Sequence, residues 1–396
     1  MAMSAASSLP GYPPHFGIHS HGQQDESPKS SYVISSKIIE NTQNAIEWYR
    51  SGQKLWVACD LERIEYELAH CRTTPSFTIR RTDGSTISIK NPMFGVTNPI
   101  WKPYVKFQHY WYLFKQGPNT LLEGLHPHYF PYYSYFIDWE NRTFTDFVAD
   151  EHACVECRFQ EAKKQWEQSR SFDWLEDQLG VLIGSRNVTK VICFGLGDMT
   201  PRSSYDARAE LDPDIALMGL NASLNQHAAA LTVAEKMRLE KINDVEIFAQ
   251  DPAYSQASKD LLEGAGVTII GEHGAGGFGK IDYDSVVFFC YPGAPVRQII
   301  ADLARPALII GNGDGHILSE NQSFPFPFDA ESPRTRAMWE EYTRHDFKIM
   351  QQDEEDLIGL RGLSIYVRND IRRDDCVRVK SENEIDSDTV MSGRIL

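Results

Sequence analysis

The sequence predicts an α/β protein: a doubly wound parallel sheet, with an aromatic-rich α+β appendage on its amino-terminal side. Three observations carry the expectation. A β-branched apolar run, Val188 to Phe194, stops abruptly at Gly195-Leu196-Gly197, with Asp198 behind it. Four more short apolar runs follow between residues 245 and 310, separated by amphipathic helical patterns. Residues 91–150 show no such alternation and are instead crowded with aromatic side chains. A continuous apolar run suits a strand buried on both faces, and strands alternating with helices of these lengths pack as a parallel sheet. Glycines at a strand's carboxyl end let the backbone turn sharply and let a ligand come close.

The elements follow in order. Residues 1–30 are rich in Ser, Pro, Gly and His and read as a disordered tail whose His15, His19 and His21 are solvated. Residues 31–158 form the appendage. Its first helix runs from Ser36 to Gly52, and Phe77 to Lys90 is a hairpin turning at Asp83-Gly84, a pair suited to a type I′ turn. Trp101, Tyr104, Tyr110, Trp111, Tyr112 and the run from Tyr129 to Tyr133 are dense enough to stack bases or line an apolar pocket. The simpler reading is that they pack the appendage onto the main domain. Cys154-Val155-Glu156-Cys157, with His152 nearby, is half a zinc site without a second pair, so no metal is expected.

The main domain spans residues 159–350. A helix over 159–180 points Trp166, Trp174, Leu175 and Leu179 inward. After the first strand comes a polar insert, Met199 to Asn221, and a helix starting at the capping box Ser223-Leu224-Asn225-Gln226. The further strands are Val245–Ala249, Val267–Ile270, Val286–Cys290 and Ala307–Ile310, ending respectively near Asp251, Ile270, Tyr291 and Asn312. Ser255 caps one intervening helix and Pro295 opens another. Ser332 to Met350 reads as a last helix, and residues 351–396 as an acidic, partly disordered tail.

Composition narrows the partners. The 396 residues are 42% hydrophobic, enough for a large core, and the net charge of −16 argues against DNA and anionic membranes. Seven irregularly spaced cysteines point to free thiols in a reducing compartment. Without a secretory pattern or an apolar run of bilayer length, the expected location is cytoplasmic.

Parallel strands deliver all their carboxyl ends to one edge, where ligands of such sheets bind. That edge should gather Asp198, Asp251, Tyr254, Tyr291 and Asn312, with Gly195 and Gly197 beneath the ligand and the amino end of the Gln226 helix beside it. Two nucleotide motifs are imitated. Gly195-Leu196-Gly197 followed by Asp251 loosely resembles an adenosine-binding methyltransferase, with too long an insert between. Gly274 to Lys280 has the spacing of a phosphate loop, but Ile281 replaces the Ser or Thr and a strand follows instead of a helix. That stretch reads as a flexible loop or lid.

Five blocks, Phe194 to Gly197, Gln226 to Leu231, Ala249 to Tyr254, Tyr291 to Val296 and Ile309 to Asn312, resemble the sensitivity-to-red-light-reduced (SRR) domain family, collinearly over about residues 185–315. The resemblance implies a Rossmann-like domain and leaves open a regulatory or ligand-sensing role without catalysis. The appendage and overall length are also similar to fungal arginine-containing cyclodipeptide synthases, Rossmann-type enzymes that join two aminoacyl groups taken from charged tRNAs. Their Asp-Asp-x-x-Glu motif has no strict copy here: Asp374-Asp375 lacks the Glu, and Asp353 to Asp356 is only loosely similar. This second resemblance implies an aminoacyl-tRNA partner, met by Lys102, Lys106 and Lys115, and no cofactor. Asp198 and Asp251 would hold a guanidinium group or act as base, and Tyr254 or a hydroxyl of Ser203-Ser204-Tyr205 would relay protons. Gly195, Gly197, Gln226, Tyr291 and Asn312 would contact substrate.

Overall fold

The computed structural model describes residues 43–97, 99–114, 133–141, 154–200, 213–240, 245–312 and 329–369. The amino-terminal tail with its histidines, Lys115, the run Tyr129 to Tyr132, His152, Ser203 to Tyr205 and the Asp374-Asp375 pair lie outside them.

The amino-terminal elements come first. A helix through residues 43–50 (α1) precedes α2 (Ala58–Ala69), whose Leu61, Ile64 and Leu68 make one buried stripe at helical spacing. Strands β1 (Ser76–Arg80) and β2 (Thr86–Lys90) form the expected hairpin, pairing Phe77 with Ile89. Strand β3 (Trp101–Phe107), the short helix α3 (Tyr110–Phe114) and β4 (Tyr135–Asn141) follow, with β3 and β4 antiparallel. The single helix expected over 159–180 is two: α4 (Val155–Glu167) and α5 (Arg170–Ile183). They part at Ser169, whose hydroxyl accepts the N–H of Phe172 and starts a new helix.

The sheet contains β5 (Lys190–Phe194), β6 (Glu246–Gln250), β7 (Thr268–Ile269), β8 (Ser285–Phe289) and β9 (Leu308–Asn312), all mutually parallel. Helices α6 (Pro213–Glu240), α7 (Gln256–Gly264) and α8 (Val296–Leu303) connect them. After α9 (Pro333–Trp339) the chain adds β10 (Tyr342–Asp346) and β11 (Leu363–Arg368), and the order across the sheet is β10-β11-β9-β8-β5-β6-β7. The last two strands run antiparallel to their neighbours. The sheet is therefore mixed, and two expectations change. The helix expected over 332–350 ends at Trp339, because Tyr342 and the residues after it pair with β11. Residues 363–368, expected in an acidic tail, are a wholly buried strand between β9 and β10.

Two hydrophobic cores lie on the two faces. Val191, Cys193, Ile247, Ala249, Phe288 and Ile365 pack under α4 to α7. Ile192, Phe194, Phe248, Val287, Phe289 and Tyr366 pack under α8, α9 and the amino-terminal elements, including Leu61, Phe77, Tyr135 and Trp139. The aromatic-rich part thus shares a core with the sheet, which accounts for Tyr135 and Trp139 as packing side chains at about 1.5–3 kcal/mol per large buried residue. Among the described residues, no helix is long and apolar enough to cross a membrane.

The glycine-rich stretch Gly274 to Lys280 is no lid. It is a docked 3-10 turn between β7 and β8, with Phe278 stacked on Phe194 at 4.5 Å between ring centroids. Gln250 grips it twice, donating to the Gly274 carbonyl at 2.8 Å and accepting the Gly277 N–H at 2.6 Å. The Glu65 carboxylate of α2 accepts the N–H groups of His273, Ala275 and Gly276 at 2.8, 2.9 and 3.1 Å. An internal carboxylate occupies the concavity of backbone donors that a phosphate loop would offer its ligand.

Candidate functional site at the carboxyl rim

At the end of β5 the chain enters Gly195 and Gly197 with φ of +62° and +77°. A Cβ at Gly195 would lie 3.0 Å from the Pro292 backbone, and one at Gly197 3.1 Å from the Ser223 hydroxyl. Both glycines let the β5 loop pass between the β8 loop and α6. The Gly197 N–H donates to Asp251 Oδ2 at 2.8 Å, and the Ala253 N–H donates to Oδ1 at 2.9 Å. Asp251 therefore fixes the β5 loop against the β6 turn.

Asp198 is more deeply committed. Its Oδ1 accepts from the Ser255 N–H and hydroxyl, both at 2.9 Å, and from the Ser258 hydroxyl at 2.5 Å, while Oδ2 accepts from Thr200. Ser255 is the N-cap of α7, so this carboxylate sits at a helix amino terminus, where negative charge is favoured.

Beneath them lies a buried pair. The Tyr254 hydroxyl is 2.9 Å from His227 Nε2, and His227 Nδ1 is 2.7 Å from the Ser223 carbonyl. A carbonyl only accepts, so Nδ1 carries the proton and Nε2 accepts from the tyrosine. Burial pulls the His227 pKa down to about 4 and pushes that of Tyr254 well above its ordinary value. Both groups are neutral near pH 7. His227, Cys193, Leu196 and Leu231 line a small apolar cavity at this point.

The β8–β9 side of the rim differs. Tyr291 is 66% exposed and has φ of +43°, the one positive value at a non-glycine position among the described residues. Its N–H donates to Asn312 Oδ1 at 2.7 Å, and the Asn312 carbonyl accepts from Arg297 at 2.7 Å. Arg297 forms a buried ion pair with Asp329 at 3.2 Å. Desolvation pushes the Asp329 pKa up to about 6 against the pull of Arg297.

A strap crosses this edge. Because β11 is antiparallel to β9, with Leu363 opposite Asn312, the chain approaches β11 over the carboxyl rim. Asn225 donates to the Asp356 and Ile358 carbonyls at 2.8 and 3.2 Å, and Gln226 to the Gly359 carbonyl at 3.1 Å. Tyr291 Oη donates to the Arg361 carbonyl at 3.1 Å from the other side. Gly359, at φ of +91°, passes so close to α6 that a Cβ would lie 2.6 Å from that of Ala222.

The structure brings Gly197, Asp198, Asp251 and Tyr254 into one cluster and Tyr291 and Asn312 into a second, with Gly195 at the contact between their loops. Gln226 departs from expectation. It lies well inside α6, not at an amino end, since Ser223 donates its hydroxyl to the Leu196 carbonyl instead of capping a helix. Arg297, Asp329 and the strap were not foreseen. Their only trace in the sequence is that Arg297 immediately follows the Tyr291 to Val296 block. His227 is adjacent to Gln226 in another such block. Among the described residues no group of three or more His, Cys, Asp or Glu side chains could hold a metal, and Cys59, Cys154, Cys157, Cys193 and Cys290 are free thiols.

Residues 173–367, from within α5 to within β11, match the family model of the SRR1 domain. No curated protein and no solved structure matches the chain.

Proposed function

Taking the chain as a member of the SRR1 domain family through residues 173–367, we propose that it is an aminoacyl transferase that draws on charged tRNA and builds an arginine-containing cyclic dipeptide at the carboxyl rim. The observation that carries the location is the order of the parallel strands. With β5 as the first, they lie third, second, first, fourth, fifth, the order of Rossmann-like sheets, whose ligands bind where the order reverses. Here that point is between β5 and β8, at Gly195 and Pro292.

The chemistry proposed rests on the acidic rim and on the resemblance, in sequence, of the aromatic-rich region and overall length to cyclodipeptide synthases. Asp251 is half-buried and oriented by two backbone N–H groups, suited to receive a guanidinium by charge-assisted hydrogen bonds. Tyr254 and His227 form a relay below it, and Asp198 acts as a positioning group that holds α7. Lys102 and Lys106 share a face of β3 and would meet the tRNA.

The test is expression in a host lacking such products, with untargeted metabolite profiling. An arginine-containing cyclic dipeptide should appear with the wild type and fall by more than about a hundredfold with Asp251→Asn, while the melting curve shows the variant folded. A folded wild type that yields no new metabolite overturns the enzyme reading. The strap favours one other role, a regulatory or ligand-sensing domain without chemistry, because Gln226 and Tyr291 are engaged with chain carbonyls that a ligand would have to displace.

A further inference from the structure

We propose that Cys154 and Cys157 form a reversible dithiol–disulfide couple that exchanges with small-molecule disulfides of the glutathione class. Both side chains are exposed. Cys154 is the N-cap of α4, a helix of 13 residues, and its sulfur accepts the Cys157 N–H at 3.3 Å. The pair therefore occupies the N-cap and third positions of a helix, one turn apart on the same side. Side chains at that spacing are neighbours with Cβ atoms about 5–6 Å apart, so a small adjustment of the first turn brings them to the roughly 3.5–4.5 Å that a disulfide needs.

The two thiols are also chemically unequal. The neighbouring Cys157 side chain, then the backbone N–H groups of the first turn, hold the Cys154 thiol below its ordinary range, while Cys154 holds Cys157 above. A helix amino terminus is where thiolates are stabilised and cysteines become nucleophilic. In contrast, the buried Cys193 and Cys290 are raised by desolvation and inert at neutral pH.

The exchange balances in two steps. The Cys154 thiolate attacks one sulfur of the small disulfide, forming a mixed disulfide and releasing one thiolate. Cys157 then loses its proton to solvent and attacks the Cys154 sulfur, closing the intramolecular disulfide and releasing the second thiolate. Two protein thiols are oxidised and one small disulfide is reduced to two thiols. The site is remote from the rim. Lys163 pairs with Glu235 and Trp166 with Thr232, so α4 runs antiparallel to α6 and its amino end lies toward the opposite edge of the sheet.

The experiment uses the full chain in mixtures of oxidised and reduced glutathione, with acid quenching, alkylation and peptide mapping by mass spectrometry. Exposed Cys59 is the internal reference. The wild type should lose two hydrogens as a Cys154–Cys157 disulfide that dithiothreitol reverses. Cys157→Ser should accumulate the mixed disulfide at Cys154, and Cys154 should react about tenfold faster than Cys59 at pH 7. Serine is a good N-cap, so Cys154→Ser keeps α4 folded and should leave Cys157 slow to react. Glutathione retained on wild-type Cys154 with Cys157 unreacted, or a Cys154 rate no greater than that of Cys59, overturns the proposal.

Discussion

The two halves of the carboxyl rim use polar groups in opposite ways. On the β5–β6 side, Asp198, Asp251, Tyr254 and His227 are bound to one another's loops and helices, and Tyr254 and His227 are almost fully buried. On the β8–β9 side, Tyr291 stands exposed in a backbone conformation that side chains rarely adopt, tied to Asn312 below and to the strap above. Carboxylates read from sequence as ligand groups serve first as joints of the fold. Strain that the surroundings must support is concentrated at the tyrosine, and such strain clusters at ligand clamps and switches.

The largest effect should come from breaking the first half. Asp198→Ala removes the acceptor shared by Ser255, Ser258 and Thr200 and should cost about 3 kcal/mol in denaturant unfolding. If the loss stays under about 1 kcal/mol, Asp198 is not a joint.

The next effect comes from pH. Burial lowers the His227 pKa to about 4 and that of His109 to about 3, so both stay neutral when folded and take up a proton near pH 6.5 when unfolded. Unfolding then absorbs up to two protons. The stability they contribute is fully present above pH 6.5 and declines as pH falls toward 4, by about 2 kcal/mol per histidine at pH 5. Urea titrations of wild type and His227→Gln at pH 7.5 and 5 should show a smaller pH dependence in the variant; equal slopes would place His227 in contact with solvent.

A smaller loss, about 1–2 kcal/mol, is expected for Tyr254→Phe, which leaves His227 Nε2 buried without its donor. Calorimetry should register it as a lower Tm at neutral pH. The smallest stability change, within about 0.5 kcal/mol, belongs to Tyr291→Phe, since the phenol is exposed. If the second half of the rim is where substrate binds, that variant should nevertheless raise KM several-fold in the product assay. Unchanged KM would shift the binding site to the β5–β6 half.

What was legible in the sequence follows from which interactions are local. The runs ending at Gly195, Asp251, Tyr291 and Asn312 announced parallel strands because burial on both faces and a turn at the carboxyl end are encoded within ten residues. The hairpin at Asp83-Gly84 was equally local. Strands β10 and β11 were hidden because their pairing is set across the sheet, and because Asp353 to Asp356 interrupts the hydrophobic pattern just before Leu363. Ser223 to Gln226 satisfies a capping box on paper, but a serine's first partner was the Leu196 carbonyl on another loop. The glycine-rich turn misled similarly, since Glu65 lies more than two hundred residues away and nothing in the sequence announces that it would fill the concavity. For the residues expected at the rim, the placement at strand ends is legible in the sequence and the hydrogen-bond partners are not.

The amino-terminal elements under the second face also set what can fold alone. The matched family unit begins at residue 173, yet the sheet face carrying Ile192, Phe194, Phe248 and Phe289 is roofed partly by Leu61, Phe77, Tyr135 and Trp139, which all precede that boundary. A chain cut at residue 173 would carry that apolar surface into water, and contiguous patches of this kind drive association. The span matched by the family model is therefore narrower than the span that shares this core: the border of the match cuts through one packed unit.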